Sequence, residues 1–158
     1  MTHEMRRKEK SIPPDEAERI LTNALVGRLG TIWNDEPYVV PLNFAYDRGK
    51  IYFHCANRGK KIECMLRNPT VCFEVDDFLG IKGSEKPCSL GAYYRSVIAF
   101  GNANIIKDAE KKEEALKKIV NKYAKNVKVS IDQDALDRTE VIEITVERMT
   151  GKQSLQIQ

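Results

Sequence analysis

The chain has 158 residues and a formal net charge of +3, from 26 lysines and arginines against 23 aspartates and glutamates. With 42% hydrophobic and 31% charged residues it has the composition of a single soluble globular domain with one core. That small charge gives no reason to invoke a nucleic-acid partner, and no apolar run approaches the ~20 residues that span a bilayer, so no membrane association is expected.

The first residues lead into no apolar signal-peptide segment, and a cytoplasmic location is expected. Cys55, Cys64, Cys72 and Cys88 form no C-x-x-C pair, and only His3 and His54 accompany them. No zinc set follows from such spacing; buried or partly buried thiols are the expectation, and no metal.

One domain over residues 1–158 is expected, since no repeat, low-complexity tract or Gly/Ser/Pro linker divides the chain. Residues 1–12 read as a flexible basic arm. Pro13, Pro14 and Asp15 open a helix with Ala17, Ile20, Leu21 and Ala24 on one face. Strands follow over 26–33, 38–46 and 51–56, separated by turns at 34–37 and 47–49. Pro41 has no N–H for a ladder and marks an edge or a bulge. The strand carrying it is expected to pair with the strand of His54.

Residues 60–67 read as a short helix, stopped by Asn68-Pro69 because a residue before proline avoids the helical region. A strand over 70–75, a glycine-containing loop over 76–91 and a long strand over 94–106 come next. Asp108 caps a helix whose apolar stripe is Leu116, Ile119, Val120 and Tyr123, with its lysines on a solvated face. A last strand spans 141–146. Short turns without regular βαβ alternation point to a mainly β, antiparallel six-stranded barrel with helices interspersed.

The stretch with most chemistry is His54-Cys55-Ala56-Asn57-Arg58-Gly59-Lys60-Lys61, where a strand runs through a basic glycine turn into a helix. The first N–H groups of a helix lack internal partners and its dipole is positive there, so this is the chemistry of a phosphate site. It is not a Walker A loop, which needs two spaced glycines and a Lys-Ser or Lys-Thr. A solvated basic turn is the other reading, and for His54 so is a purely structural role. Leu42 and Phe44 on the neighbouring strand offer an apolar slot of the kind a flavin ring takes, or a plain core strand.

In order along the chain, Pro41-Leu42-Asn43-Phe44, the basic turn just described, Asn68-Pro69, Tyr94-Arg95-Ser96-Val97-Ile98-Ala99-Phe100-Gly101 and Thr150-Gly151-Lys152 resemble the pyridoxamine 5′-phosphate oxidase-like superfamily of FMN-binding split barrels. Within it the pattern is most similar to the nitroimidazole-resistance group. The resemblance implies a six-stranded split β-barrel and a homodimer with FMN at its interface. It implies that Lys61 is the phosphate-binding lysine, with Lys60 beside it. By the same resemblance Pro41, Leu42, Asn43 and Phe44 lie along the flavin, His54 and Cys55 face the cofactor, and Ser96 and Val97 begin a strand near it. Compared with the oxidase proper, Gly59-Lys60 stand where Ser-Arg is usual, and Cys55-Ala56 where Thr-Asn is usual. Vitamin B6 oxidation is not implied.

The function expected on this ground is an FMN-dependent oxidoreductase acting on a small molecule, a nitroaromatic acceptor among the candidates, with NAD(P)H a candidate donor. No Rossmann glycine fingerprint is present, so a nicotinamide would visit without a domain of its own. No catalytic residue is assigned. A non-enzymatic flavin carrier or sensor shares the same site, and turnover separates the two. A small barrel stacking bases on Tyr38, Phe44, Tyr52 and Phe53 is a further class, which steep salt dependence would reveal.

Overall fold

The computed structural model describes residues 5–83, 90–125 and 133–155. One antiparallel sheet contains β1 (Ser11–Ile12), β2 (Gly27–Trp33), β3 (Glu36–Leu42), β4 (Ala45–Asp47), β5 (Lys50–Ala56), β6 (Thr70–Lys82), β7 (Gly91–Ile105) and β8 (Thr139–Ser154). Its spatial order is β3-β2-β6-β7-β8-β5-β4, with β1 paired to β8. Four α-helices accompany it: α1 (Pro14–Asn23), α2 (Lys60–Arg67), α3 (Ala109–Tyr123) and α4 (Gln133–Arg138). The class is mainly antiparallel β with helices.

β3 and β4 are the two ends of this order, yet only Asn43 and Phe44 separate them in sequence. The sheet therefore curls until its ends meet, and the result is a split barrel. The core fills its interior with Leu29, Phe44, Ile51, Phe53, Phe73, Val75, Val97, Ile142 and Ile144, none more than 1% exposed. A smaller cluster on the outside of β5 and β8 packs Tyr52 and Val141 under Ala115 and Ile119 of α3. α1 lays Ala17, Ile20 and Leu21 against the same barrel.

Several sequence expectations are corrected. Residues 38–46 are two strands, broken at Asn43–Phe44 and sent to opposite ends of the sheet, so β3 pairs with β2 and it is β4 that pairs with the His54 strand, β5. Together with β1, this split turns the expected six strands into eight. Residues 8–12 of the basic arm are ordered, with a 3-10 turn at Lys8–Lys10 and Ile12 buried opposite Gly151. Half of the expected loop at 76–91 is the outer part of a ribbon: β6 continues to Lys82 and β7 starts at Gly91, while 84–89 lie outside the described residues. Gly80 is not a stop signal there. Its φ of +134° accommodates the register shift between Phe78 and Gly80. Cys88 and His3 lie outside the described residues. The last strand runs from Thr139 to Ser154 and skips one register position at Glu147, opposite the Phe100–Gly101 step. At that step a Cβ on Gly101 would stand 2.0 Å from the Thr145 carbonyl oxygen, so only glycine fits.

α3 is capped as expected, Asp108 accepting the Lys111 N–H at 2.9 Å. Its last turn then fastens the barrel closure. The Tyr123 hydroxyl accepts the Phe44 N–H at 3.0 Å and shares its proton between the carbonyls of Leu25 at 2.7 Å and Phe44 at 3.1 Å. The lysine face of α3 is not wholly solvated. Lys118 pairs with Asp47, and Lys122 folds inward until its Nζ lies 3.8 Å from the centre of the Phe44 ring, buried and without a hydrogen-bond partner among the described residues. Burial pushes the Lys122 ammonium down to about 8 from its ordinary 10.5.

Replacing Tyr123 by Phe strands the Phe44 N–H in a part-buried site and is expected to cost about 1–3 kcal/mol in urea denaturation. Lys122 gives a pH signature. Its proton is held more weakly in the folded than in the unfolded chain, so between about pH 8 and 10.5 the unfolded chain binds more protons and stability rises with pH. Replacing Lys122 by Met is expected to remove that rise and to stabilise the protein at pH 7 by on the order of 1 kcal/mol, discounted for the side chain's partial exposure.

Candidate functional site

β5 ends by presenting alternate residues to opposite sides. Phe53 and Cys55 enter the core, at 0% and 8% exposure, while His54 and Ala56 face outward and are exposed. Burial pushes the Cys55 thiol up, and the charge of nearby Lys61 opposes that shift. Asn57 and Arg58 are exposed, and Gly59 then turns the chain into α2 with a φ of +126°, a conformation side chains rarely adopt. A Cβ at Gly59 would touch nothing, so backbone conformation rather than crowding asks for glycine. The N–H groups of Ile62 and Glu63 bond back to the Gly59 carbonyl, at 3.0 and 3.2 Å. Those of Lys60 and Lys61 sit before the helical ladder begins.

The two lysines are committed differently. Lys60 reaches back to β3, where its Nζ meets Glu36 at 2.6 Å and lies 5.1 Å from the centre of the Tyr38 ring. The Glu36 hydrogen bond holds the Lys60 proton more tightly than usual. Lys61 is half-buried and makes no hydrogen bond or ion pair among the described residues, and the same holds for exposed Arg58. At the far end of α2, Arg67 stacks on Trp33 at 4.8 Å.

β3 borders the other side of this corner. It is an edge strand, and Pro37 and Pro41, four apart, occupy positions whose missing N–H would face the free edge. The backbone between them, at Val39, is left open on that side. Across the outer face of the sheet Val39 lies beside Gly30, Gly30 beside Cys72, and Cys72 beside Phe100. With Ile32 at 51% and Val39 at 62% exposure this makes an apolar shelf, flat where Gly30 carries no side chain.

The sequence-nominated residues thus divide. Lys60 reaches the start of β3 at Glu36 and Tyr38, Lys61 lies near Cys55 at the end of β5, and the nominated Pro41 and Leu42 sit at the other end of β3. Pro41 and Asn43 are exposed, and Leu42 leans on the core. Phe44, Cys55 and Val97 are core residues, so their side chains do not reach a surface ligand and only their backbone can. Ser96 is half-buried on the outer face, between Asp76 and Lys152, three strands away from β3. Sequence reasoning missed the Lys60–Glu36 pairing and the shelf. The shelf left a signal: Leu29 and Ile32 put apolar side chains on both phases of β2, the pattern of a strand covered on both faces.

A cation, free N–H groups and an open apolar shelf form a donor set for an anionic, partly planar ligand. Among the described residues no group of His, Cys, Asp and Glu is placed to hold a metal ion, and no helix is long and apolar enough to cross a membrane.

Comparison with known proteins bears on the family and the fold. The sequence model described as pyridoxamine 5′-phosphate oxidase matches residues 13–153. A crystal structure of a candidate 5-nitroimidazole antibiotic resistance protein from Bacteroides thetaiotaomicron VPI-5482 is 30% identical, with a TM-score of 0.78 over 96% of this chain and 95% of that one. An FAD-binding protein of Mesorhizobium loti is 26% identical, with a TM-score of 0.69 over 92% of this chain and 97% of that one. The flavocytochrome of Azotobacter vinelandii shares the fold at 19% identity, with a TM-score of 0.86 over 98% of this chain and 74% of that one. An uncharacterised protein of Rhizobium meliloti (strain 1021) is 29% identical over 65 residues, a match that spans 40% of this chain and 42% of that protein's length.

Proposed function

The chain belongs to the pyridoxamine 5′-phosphate oxidase family, and we propose that it binds FMN as a homodimer and reduces a small acceptor. The observation that carries this reading is the uncommitted ammonium of Lys61 beside the open start of α2 while its neighbour Lys60 is held by Glu36. A phosphate at that corner would take its charge from Lys61, its hydrogen bonds from the Lys60 and Lys61 N–H groups, and long-range attraction from Arg58. The ring would lie on the shelf of Gly30 and Val39, its polar edge against the open backbone of β3. Bound flavin supplies hydride and single-electron transfer. The chain's part is to hold it, orient it and keep water from one face.

FMN is favoured over FAD because the corner offers one cationic cluster, the size of one phosphate group. A nitroaromatic acceptor is favoured by the likeness to the candidate resistance protein of Bacteroides. A homodimer is favoured by the shelf itself: an exposed apolar strip on an edge strand is the kind of surface that another chain covers.

Lys61→Ala is expected to weaken FMN binding by about 1.5–3 kcal/mol in a fluorescence titration, and Lys60→Ala by clearly less, because Glu36 already occupies Lys60. Equal losses, or no loss at Lys61, would remove the site assignment. Sedimentation equilibrium of the protein, 18.0 kDa per chain, is expected to give a dimer. Ile32→Glu is expected to shift it toward monomer and lower FMN affinity at the same time; a dimer with unchanged affinity would separate the shelf from both roles.

A further inference from the structure

A second groove, of about 560 Å³, opens between the end of α1, strand β4 and the last turns of α3. Its lining includes Asn23, Leu25, Tyr46, Asp47 and Lys122. None of these residues belongs to the corner assigned to phosphate. The Lys122 Nζ is buried, has no hydrogen-bond partner among the described residues, and rests against the face of Phe44. We propose that Lys122 is a nucleophilic amine that captures small aldehydes and ketones entering this groove as imines.

The surroundings deprive Lys122 of everything that would keep it an ordinary ammonium. The one carboxylate lining the groove among the described residues, Asp47, is held ionised by Lys118 and is spent on that pair. Tyr46 of β4 stays a neutral phenol, because burial and Glu18 of α1 both push its proton affinity up. The Tyr123 hydroxyl, next along α3, is used up on Leu25 and Phe44. Lys118 is committed to Asp47, and Lys125, just past α3, also lines the groove. The Phe44 ring offers a cation its face, but desolvation outweighs it and brings Lys122 to about 8. An amine so placed is unprotonated in a larger fraction of molecules near neutral pH than an ordinary lysine, the usual way a fold activates a lysine.

The step balances without an oxidant or reductant. The amine lone pair adds to the carbonyl carbon, and the carbon–oxygen π pair moves onto oxygen. The carbinolamine then loses its oxygen as water, so that R–NH2 and O=CHR′ give R–N=CHR′ and H2O.

The full chain would be treated with benzaldehyde and cyanoborohydride at pH 7.5, and the sites of reductive alkylation followed by peptide mass spectrometry. Lys122 is expected to react about tenfold faster than exposed Lys117, since its far larger neutral fraction is only partly offset by lower intrinsic nucleophilicity. Its advantage over the exposed lysines is expected to be largest near neutral pH and to shrink toward pH 10, where an ordinary lysine also loses its proton. The preference is expected to vanish in concentrated urea, and Lys122→Arg, which keeps the charge, to abolish the fast site. Equal rates at Lys122 and Lys117 in the folded wild type at pH 7.5, or a Lys122 advantage that does not shrink toward pH 10, would overturn the proposal.

Discussion

The barrel depends on how one phenol holds two residues of backbone. Between β3 and β4 the chain must pass from one end of the sheet to the other, and Asn43 and Phe44 are all it has for the passage. Neither peptide group of Phe44 finds a ladder partner there, yet the residue is fully buried. Tyr123, 79 residues further along and in the last turn of α3, supplies both an acceptor for its N–H and a donor for its carbonyl. The Phe44 ring is then set edge-on to Phe73 at 4.8 Å, at the centre of the core. Closure, core and the seat of α3 are therefore a single arrangement. Lys122 is buried because the same turn of α3 must come this close to Phe44.

The corner at α2 shows how little sequence separation is needed for two identical side chains to take different parts. Lys60 and Lys61 are adjacent, but a helix turns each residue by roughly 100°, so they leave α2 in different directions. One direction leads to Glu36 at the start of β3, and the other to the end of β5, near Cys55. A carboxylate on the edge strand neutralises the first and leaves the second for a ligand. On the proposed reading, affinity for an anion at this place would be tuned by Glu36 through its hold on Lys60.

Much of this was legible in the residues. Helix α2 runs over the range expected from Gly59 to Asn68-Pro69, because both of its ends are written locally, one as a positive-φ glycine and one as a proline. Pro41 correctly marked an edge. The errors have a common cause. Residues 38–46 look like one strand because β propensity carries no information about which neighbour a residue pairs with, and the break at Asn43–Phe44 is imposed by closure. Gly80 looks like a breaker because a glycine in a loop and a glycine in a bulge are the same letter. Lys122 looks like a surface lysine because its helix face is polar, and only the approach of Phe44 makes that face partly interior. At the candidate site, the charges were legible and their prior engagements were not.

The register skip at Glu147 has a wider effect than a local kink. Before it the inward residues of β8 are Ile142, Ile144 and Val146; after it they are Met149 and Gly151, so the inside changes from even to odd numbers. β7, which lacks the extra residue, stays odd throughout, from Val97 to Ala103. Gly151 is where Ile12 and Ala17 come to rest, within 3.0 and 3.1 Å of the place its Cβ would occupy. The berth of the N-terminal helix is therefore fixed by counting: shorten β8 by one residue at this point, and the smooth side of its last turn of pleat faces water while Thr150 and Lys152 are presented to α1. Length there is as strictly specified as composition.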